Sequence, residues 1–279
     1  MINLTEQEFH LIETFVRKNY GINLEKKSAL VQARLSLYIE RKGYSSFQEY
    51  YSKIVSDPTG PECQHMIDKI STNHTFFFRE PASFDHMRNV VVPALIRGGV
   101  KDIKVWSAAA STGQEIYTIA MLLDDMLSLH QDVTFHITGS DINQEVLNTA
   151  RDAVYPDDEL KHIPSIFHAR YCNRNGDGTF AISPKLKKNV SLFKKNLALP
   201  FGVMSRYHMV FCRNVMIYFK NDTKQQMTSE LHRVIYPGGF LYVGCTETVD
   251  STKRLFQYVK TSVFARLDGA EAAVSNAGR

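Results

Sequence analysis

Residues 105–117, Val-Trp-Ser-Ala-Ala-Ala-Ser-Thr-Gly-Gln-Glu-Ile-Tyr, hold the spacing in this chain most suited to chemistry. A short apolar strand runs into tiny residues, and then a helix begins. Tiny side chains let a ligand approach the backbone, and Gly113 permits a tight turn. Glu115 falls near the start of that helix. A second strand, Val133–Ser140, ends in Asp141. An acid at the end of the second strand of a nucleotide-binding unit commonly holds ribose hydroxyls. Each acid also has a plainer reading. Glu115 suits the first turn of a helix through the helix dipole, and Asp141 suits the N-cap of a helix beginning near Asn143. Their placement at two consecutive strand ends favours the functional reading, an enzyme that binds a nucleoside-containing cofactor.

Two more blocks carry reactive side chains. In Thr72-Asn73-His74-Thr75-Phe76-Phe77-Phe78-Arg79-Glu80, polar groups precede three phenylalanines and a cation follows at once. Aromatic runs are usually core, so an interdomain plug is the bland alternative to an active-site flap that supplies an arginine. Phe211-Cys212-Arg213-Asn214-Val215-Met216-Ile217-Tyr218-Phe219 puts polar groups at the end of another strand, where ligands of open α/β sheets sit. Tyr218 would otherwise be a core aromatic with its hydroxyl at the surface. Lys27, Arg34 and Arg41 recur at seven-residue spacing, one stripe on a helix. Residues 17–42 hold Arg17, Lys18, Lys26, Lys27, Arg34, Arg41 and Lys42 against only Glu25 and Glu40. Such a stripe is most often a solvated face, but it also suits docking of an acidic helix.

The elements that must position these groups follow from periodicity. Residues 1–71 read as a small helical domain. Thr5 and Glu8 form a capping box before Phe9, Ile12, Phe15 and Val16, and Gly21 ends that helix. Further helices are predicted over Lys27–Lys42, after Ser45-Ser46, and over 62–71. Residues 72–98 join this domain to the next. From 99 to 267 strands and helices alternate, as in a doubly wound sheet. Strands are predicted at Ile103–Ser107, Thr134–Ser140, Val190–Lys194, Met209–Cys212, Phe240–Gly244 and a final pair within Phe256–Arg266. Helices fill 114–129, 143–152 and 222–235, and Pro237-Gly238-Gly239 reads as a turn. An insertion over about 153–189 contains the hairpin signal Asn173–Thr179 and predicts a β-subdomain. Residues 268–279 read as a disordered tail.

Bulk properties narrow the class. A 279-residue chain with 44% hydrophobic residues suits a two-domain globular protein. No apolar run approaches the roughly 18 residues of a membrane span, and no signal peptide is visible. Cys63, Cys172, Cys212 and Cys245 are scattered without metal-ligand spacing, as in a reduced cytoplasmic protein. A net charge of +4 is too mild to argue for nucleic acid.

Thr72–Glu80, Val105–Glu115, Asp141 and Phe211–Phe219, in that order and behind a helical domain, resemble the CheR-type chemotaxis receptor methyltransferases. The resemblance covers about residues 1–266. It implies a class I S-adenosylmethionine-dependent methyltransferase fold, a Rossmann-like doubly wound sheet with an all-helical N-terminal domain and a β-subdomain insertion. It also implies methyl transfer from S-adenosylmethionine to glutamates of chemoreceptors, leaving S-adenosylhomocysteine. Asn73, Thr75 and Arg79 would contact the cofactor or the transfer site. Glu115 would meet the methionyl amino group, Asp141 the ribose, and Asn196-Leu197 the adenine, while Arg213, Asn214 and Val215 line the pocket. Arg79 and Tyr218 would lie closest to the reacting methyl, and Lys27, Arg34 and Arg41 would read the receptor's cytoplasmic helices. In some family members the β-subdomain docks a receptor C-terminal peptide. A monomer with no metal, nucleic-acid partner or membrane insertion is expected. Gln114 stands where the family often has an acid, and Gly244-Cys245-Thr246-Glu247 where Gly-His-Ser-Glu is common.

A glutamate side chain is already ionised near neutrality, with a reference pKa of about 4.3, so its attack needs no general base. Positioning alone can contribute roughly 7–11 kcal/mol. The competing readings are a methyltransferase acting on a small molecule or RNA, and a non-catalytic cofactor-binding sensor or adaptor. RNA is disfavoured by the lack of interleaved aromatic and basic residues. A nicotinamide dehydrogenase is disfavoured because Ala108–Ser111 replaces the needed glycines.

Overall fold

The computed structural model describes residues 2–249 and 254–268. All but the first residue of the expected tail 268–279 therefore lies outside the described residues.

The chain opens with four helices: α1 (Glu6–Tyr20), α2 (Ser28–Arg41), α3 (Phe47–Ser56) and α4 (Pro61–Ile70). Thr5 and Glu8 cap α1 reciprocally, with the Glu8 amide donating to Thr5 Oγ1 at 3.3 Å and the Thr5 amide to Glu8 Oε2 at 2.9 Å. Gly21 ends it in a left-handed conformation. Ile12, Val16, Leu35, Ile39, Phe47, Tyr50, Ile54 and Met66 are buried together as the core of this domain.

Residues 72–81 cross to the sheet. The rest of the expected connector is helical: α5 (Ala82–His86) runs through one π turn, Met87–Val91, into α6 (Val92–Arg97). Phe84, Met87 and Val91 recur at helical spacing and are buried. The wide turn comes just before Pro93, which has no amide N–H to donate.

The sheet domain follows as β1 (Asp102–Ser107), α7 (Gln114–Met126), β2 (Thr134–Asp141), α8 (Gln144–Asp152), β3 (Val154–Pro156), α9 (Ser165–Tyr171), β4 (Cys172–Arg174), β5 (Thr179–Ile182) and α10 (Pro184–Lys187). Then come β6 (Val190–Lys194), β7 (Tyr207–Phe211), α11 (Asn221–Val234), β8 (Ile235–Tyr242), β9 (Phe256–Lys260) and β10 (Val263–Arg266). The main sheet has the order β6-β2-β1-β7-β8-β10-β9. Its first five strands are parallel, and β10 is antiparallel to both neighbours. The order reverses between β1 and β7, so a crevice opens beyond their carboxyl ends.

The predicted turn at Pro237-Gly238-Gly239 is instead part of β8. The β7–β8 register shifts between Tyr207 and Met209, and Gly238 has φ +73°. A Cβ on Gly239 would stand 2.8 Å from the His208 carbonyl oxygen, so the two glycines allow an irregular strand to pair closely.

The insertion forms a second, antiparallel sheet of order β3-β5-β4. Phe180 and Tyr155 of this sheet pack on Phe77 of the crossing segment, with ring centroids 6.1 and 5.0 Å away. The helical domain rests on the carboxyl edge of the main sheet. Ile22 bridges to Phe219, the Asn23 amide donates to the Tyr218 carbonyl at 2.8 Å, and Asn143 Nδ2 donates to the Asp68 carbonyl at 2.9 Å. Gly21 is wedged here, since a Cβ on it would lie 2.7 Å from Ala198 Cβ.

Candidate active site

The turn after β1 is built by backbone pairing. The Ala110 amide donates to the Ser140 carbonyl at 2.8 Å, which lays the turn across the end of β2. Ser111 follows with φ +49°, and Gly113 with φ +98° caps the amino end of α7. A Cβ on Gly113 would strike Ala150 and the Tyr155 hydroxyl, both at 2.9 Å, so this glycine serves helix packing as well as the turn. Ala108, Ala109 and Ser111 face a cleft of about 1130 Å³, open mouth included.

Asp141 lines that cleft from the end of β2. Its Oδ2 accepts the Ser111 amide at 2.8 Å and its Oδ1 the Asn143 amide at 3.0 Å. Burial pushes its carboxyl above the usual range, and these amide hydrogen bonds oppose the rise. The N-cap of α8 is Asn143, whose side chain accepts the Val146 amide at 3.2 Å, so Asp141 is not spent on capping.

Glu115, in the first turn of α7, accepts Ser107 Oγ at 2.7 Å and Arg213 Nη1 at 3.0 Å. Burial raises its pKa, and the Arg213 charge pulls it back. Arg213, just after β7, is almost wholly enclosed, with 2% of its side chain exposed. Its Nη2 also donates to the Arg79 carbonyl at 2.5 Å and to Glu80 Oε2 at 3.3 Å. Two acids and two arginines therefore alternate in the order Glu115, Arg213, Glu80, Arg79, with Glu80 behind the cleft lining.

The crossing segment forms one side of the cleft through Asn73, Thr75, Phe76 and Arg79. The Asn73 carbonyl accepts Ser111 Oγ at 2.8 Å, tying this segment to the turn after β1. Phe77 is buried, as a plug would be, while Arg79 remains on the cleft wall. Arg79 Nη1 donates to the His74 carbonyl at 2.7 Å. Asn196, Leu197, Asn214, Val215 and Tyr218 complete the sheet-domain wall. Asn196 also donates to the Asn19 carbonyl at 2.9 Å, holding the end of α1 above the cleft.

The three basic residues of the stripe have different surroundings, although Arg34 and Arg41 are both exposed. Lys27 lines the cleft with Nζ 5.3 Å from the Tyr218 ring centroid. Arg34 Nη1 donates to the carbonyls of Lys69, Ile70 and Ser71 at 3.0, 3.1 and 2.8 Å, satisfying the end of α4. Arg41 is exposed in the last turn of α2. The sequence reading missed Glu80 and the upper wall of the cleft formed by Tyr20, Ile22, Leu24 and Ile70. It also missed Glu247, whose Oε2 accepts the amides of Asn214 at 2.7 Å and Gly244 at 2.6 Å.

A seven-strand sheet of this order, with acids at the ends of β1–α7 and β2, defines a class I S-adenosylmethionine-dependent methyltransferase. Residues 73–265 match the model of the CheR methyltransferase SAM-binding domain, and residues 7–71 match the CheR methyltransferase all-alpha domain. The chain belongs to the CheR methyltransferase family, and S-adenosylmethionine is its cofactor. It is 36% identical to the chemotaxis protein methyltransferase of Borreliella burgdorferi, over 95% of this chain and 96% of that one. It is 33% identical to the Escherichia coli chemotaxis protein methyltransferase, over 94% and 91%. The residues present fit the cofactor. Buried carboxylates offer acceptors to hydroxyl and ammonium donors, and Ala108, Ala109, Leu197 and Val215 give an apolar wall for a flat base. No helix among the described residues is long and apolar enough to cross a membrane.

Proposed function

We propose that this methyltransferase esterifies glutamate side chains of chemoreceptors, adjusting their signalling in chemotaxis. The observation that carries the proposal is the lining of one cleft by two kinds of group. Asp141 and Glu115 suit the cofactor, whereas Arg79, Lys27 and Tyr218 suit an anionic acceptor. The bound cofactor supplies an electrophilic methyl on a cationic sulfur, which leaves as neutral S-adenosylhomocysteine once a carboxylate oxygen has taken the methyl as an ester.

Asp141 is assigned to the ribose hydroxyls and Glu115 to the methionyl amino group, with Asn73, Thr75, Asn196, Leu197, Arg213, Asn214 and Val215 around them. Arg79 orients the acceptor carboxylate, and Tyr218 shapes the space around the methyl. An ionised acceptor needs no base, so the protein's task is alignment and exclusion of water. Esterification removes one negative charge per glutamate, which relieves repulsion between packed receptor helices and shifts their equilibrium. The names of the relatives, chemotaxis protein methyltransferase, support this acceptor class. Lys27 and Arg41 remain suited to an acidic helix approaching the cleft mouth. The edge of β4, paired among the described residues with β5 alone, suits addition of a receptor tail peptide as a further strand.

The test is incubation with methyl-labelled S-adenosylmethionine and membranes bearing chemoreceptors. Base-labile label on the receptor band is expected. Cofactor binding without any base-labile label on receptors would refute the acceptor assignment.

A further inference from the structure

Glu80 is not among the residues that line the cleft, yet it joins three segments around it. Its Oε1 accepts Asn214 Nδ2 at 3.0 Å. Its Oε2 accepts the Cys245 amide at 3.0 Å and Arg213 Nη2 at 3.3 Å. Oε1 also stands 3.8 Å from Nε of Arg79, the cation on the cleft wall. The backbone arranges this divergence: Phe78 has φ +56° and Glu80 φ +55°, left-handed conformations uncommon for such residues. They bracket Arg79, so that adjacent side chains serve different surroundings.

We infer that Glu80 is a charge-balancing and positioning residue for the acceptor side of the site. The inference rests on the proposed glutamate esterification. An acceptor carboxylate loses its charge as the ester forms, so its attraction to a guanidinium weakens along the reaction. A fully unanswered Arg79 would stabilise the bound acceptor more than the transition state and slow transfer. Glu80 answers part of that charge from outside the cleft lining. Through Asn214 and the Arg213–Arg79 carbonyl contact, it also holds the arginine in place. The acceptor is thus oriented without being trapped.

The test uses the intact chain loaded with S-adenosylhomocysteine, with glutarate as a carboxylate probe read by calorimetry. Glu80→Gln keeps the shape and removes the charge. It should tighten glutarate binding roughly threefold to tenfold, and Arg79→Ala added to it should abolish the gain. In receptor methylation, Glu80→Gln should lower kcat about tenfold and lower the acceptor KM with it, the signature of a ground state held too well. S-adenosylhomocysteine affinity should change less than glutarate affinity, since Glu80 reaches the cofactor side only through Arg213 and Asn214, and an equal or larger change would overturn the assignment to the acceptor side. A folded Glu80→Gln variant whose glutarate affinity is unchanged or weaker overturns the inference. So does tightening that survives without Arg79, or a raised acceptor KM. If Glu80→Gln does not fold, Arg79→Ala alone decides: it should weaken glutarate less than about threefold, because Glu80 already answers part of the arginine's charge at a partly exposed position, and a larger loss overturns the inference. Glutarate behaving as expected while receptor glutamates stay unlabelled would sink the acceptor assignment and leave the Glu80–Arg79 balance standing.

Discussion

Replacing Arg213 by Met removes one cation from between two carboxylates while keeping most of the volume. Arg213 has 2% of its side chain exposed, against 13% for Glu115 and 21% for Glu80. Among the described residues, Glu115 would keep the Ser107 hydroxyl, and Glu80 Asn214, the Cys245 amide and the more distant Arg79. Breaking a buried pair by deleting one partner costs about 3–5 kcal/mol. In a chain of this size that corresponds to a fall in melting temperature of roughly 6–20 °C. The loss should depend on pH. Burial holds Glu115 above its ordinary value, so its contribution is full below about pH 4.5 and is lost as pH rises through the folded value. Without Arg213 that value climbs further, and the loss widens. Burial also acts to raise Glu80, but the Asn214 hydrogen bond, the Arg213 charge and the Cys245 amide hold it lowered overall. Its contribution is present above about pH 4.5 and lost as pH falls through the folded value, and it shrinks when Arg213 goes. Both effects make the deficit of Arg213→Met smallest near pH 4 and largest near neutrality. Urea unfolding of the native chain and the variant from about pH 4 to 7.5 measures this. Adding Glu115→Gln to Arg213→Met should recover much of the loss at neutral pH. A deficit below about 1 kcal/mol, or one that does not change with pH, would refute the reasoning.

Asp141→Asn should weaken S-adenosylhomocysteine binding by roughly 10- to 100-fold by calorimetry, since a buried ionic acceptor is replaced by a neutral one; an unchanged affinity would remove Asp141 from the cofactor site. Arg34→Ala should destabilise the chain by about 0.5–1.5 kcal/mol, because one guanidinium nitrogen serves three carbonyls at the end of α4 from an exposed position. A fully stable Arg34→Ala that methylates receptors poorly would return this residue to receptor recognition. His86 is buried with Nδ1 3.1 Å from the Tyr242 hydroxyl, and burial, aided by Lys260, holds its pKa below the ordinary 6.5. Stability from this group is present above pH 6.5 and lost as pH falls through the folded value, so His86→Gln should flatten the decline in melting temperature on acidification; an equally steep decline would exclude His86 as its source.

The elements holding the cofactor were legible because their signals are local. Val105 and Trp106 lie in an apolar run that ends in tiny residues, and Asp141 closes the next apolar strand. Parallel central strands, covered on both faces, leave that mark. Glu80 was illegible for the opposite reason. Beside Arg79 it reads as half of a local ion pair, while its partners at 213, 214 and 245 lie 133–165 residues away. Arg34 shows what seven-residue spacing omits. The spacing reports a shared helical face, but the groups Arg34 satisfies are backbone carbonyls of α4, which no side chain announces. At Pro237-Gly238-Gly239 the composition of a turn was overridden by pairing with β7, which needed glycine for close approach rather than for reversal.

Tyr20, Ile22, Leu24 and Lys27 share the cleft with Asp141 and Glu115, although the first four belong to the helical domain, at the end of α1 and in the connection to α2. The division of the chain near residue 71 is therefore a seam in the polypeptide and not in the binding equilibrium. A fragment beginning at residue 72 would retain the sheet, the acids and Arg79, and would still present the cofactor with a basin lacking its upper wall. Whatever presses on the helical domain from outside, an approaching receptor included, presses on cofactor affinity as well. By the same linkage, filling the cleft would bias the conformations open to the helical domain.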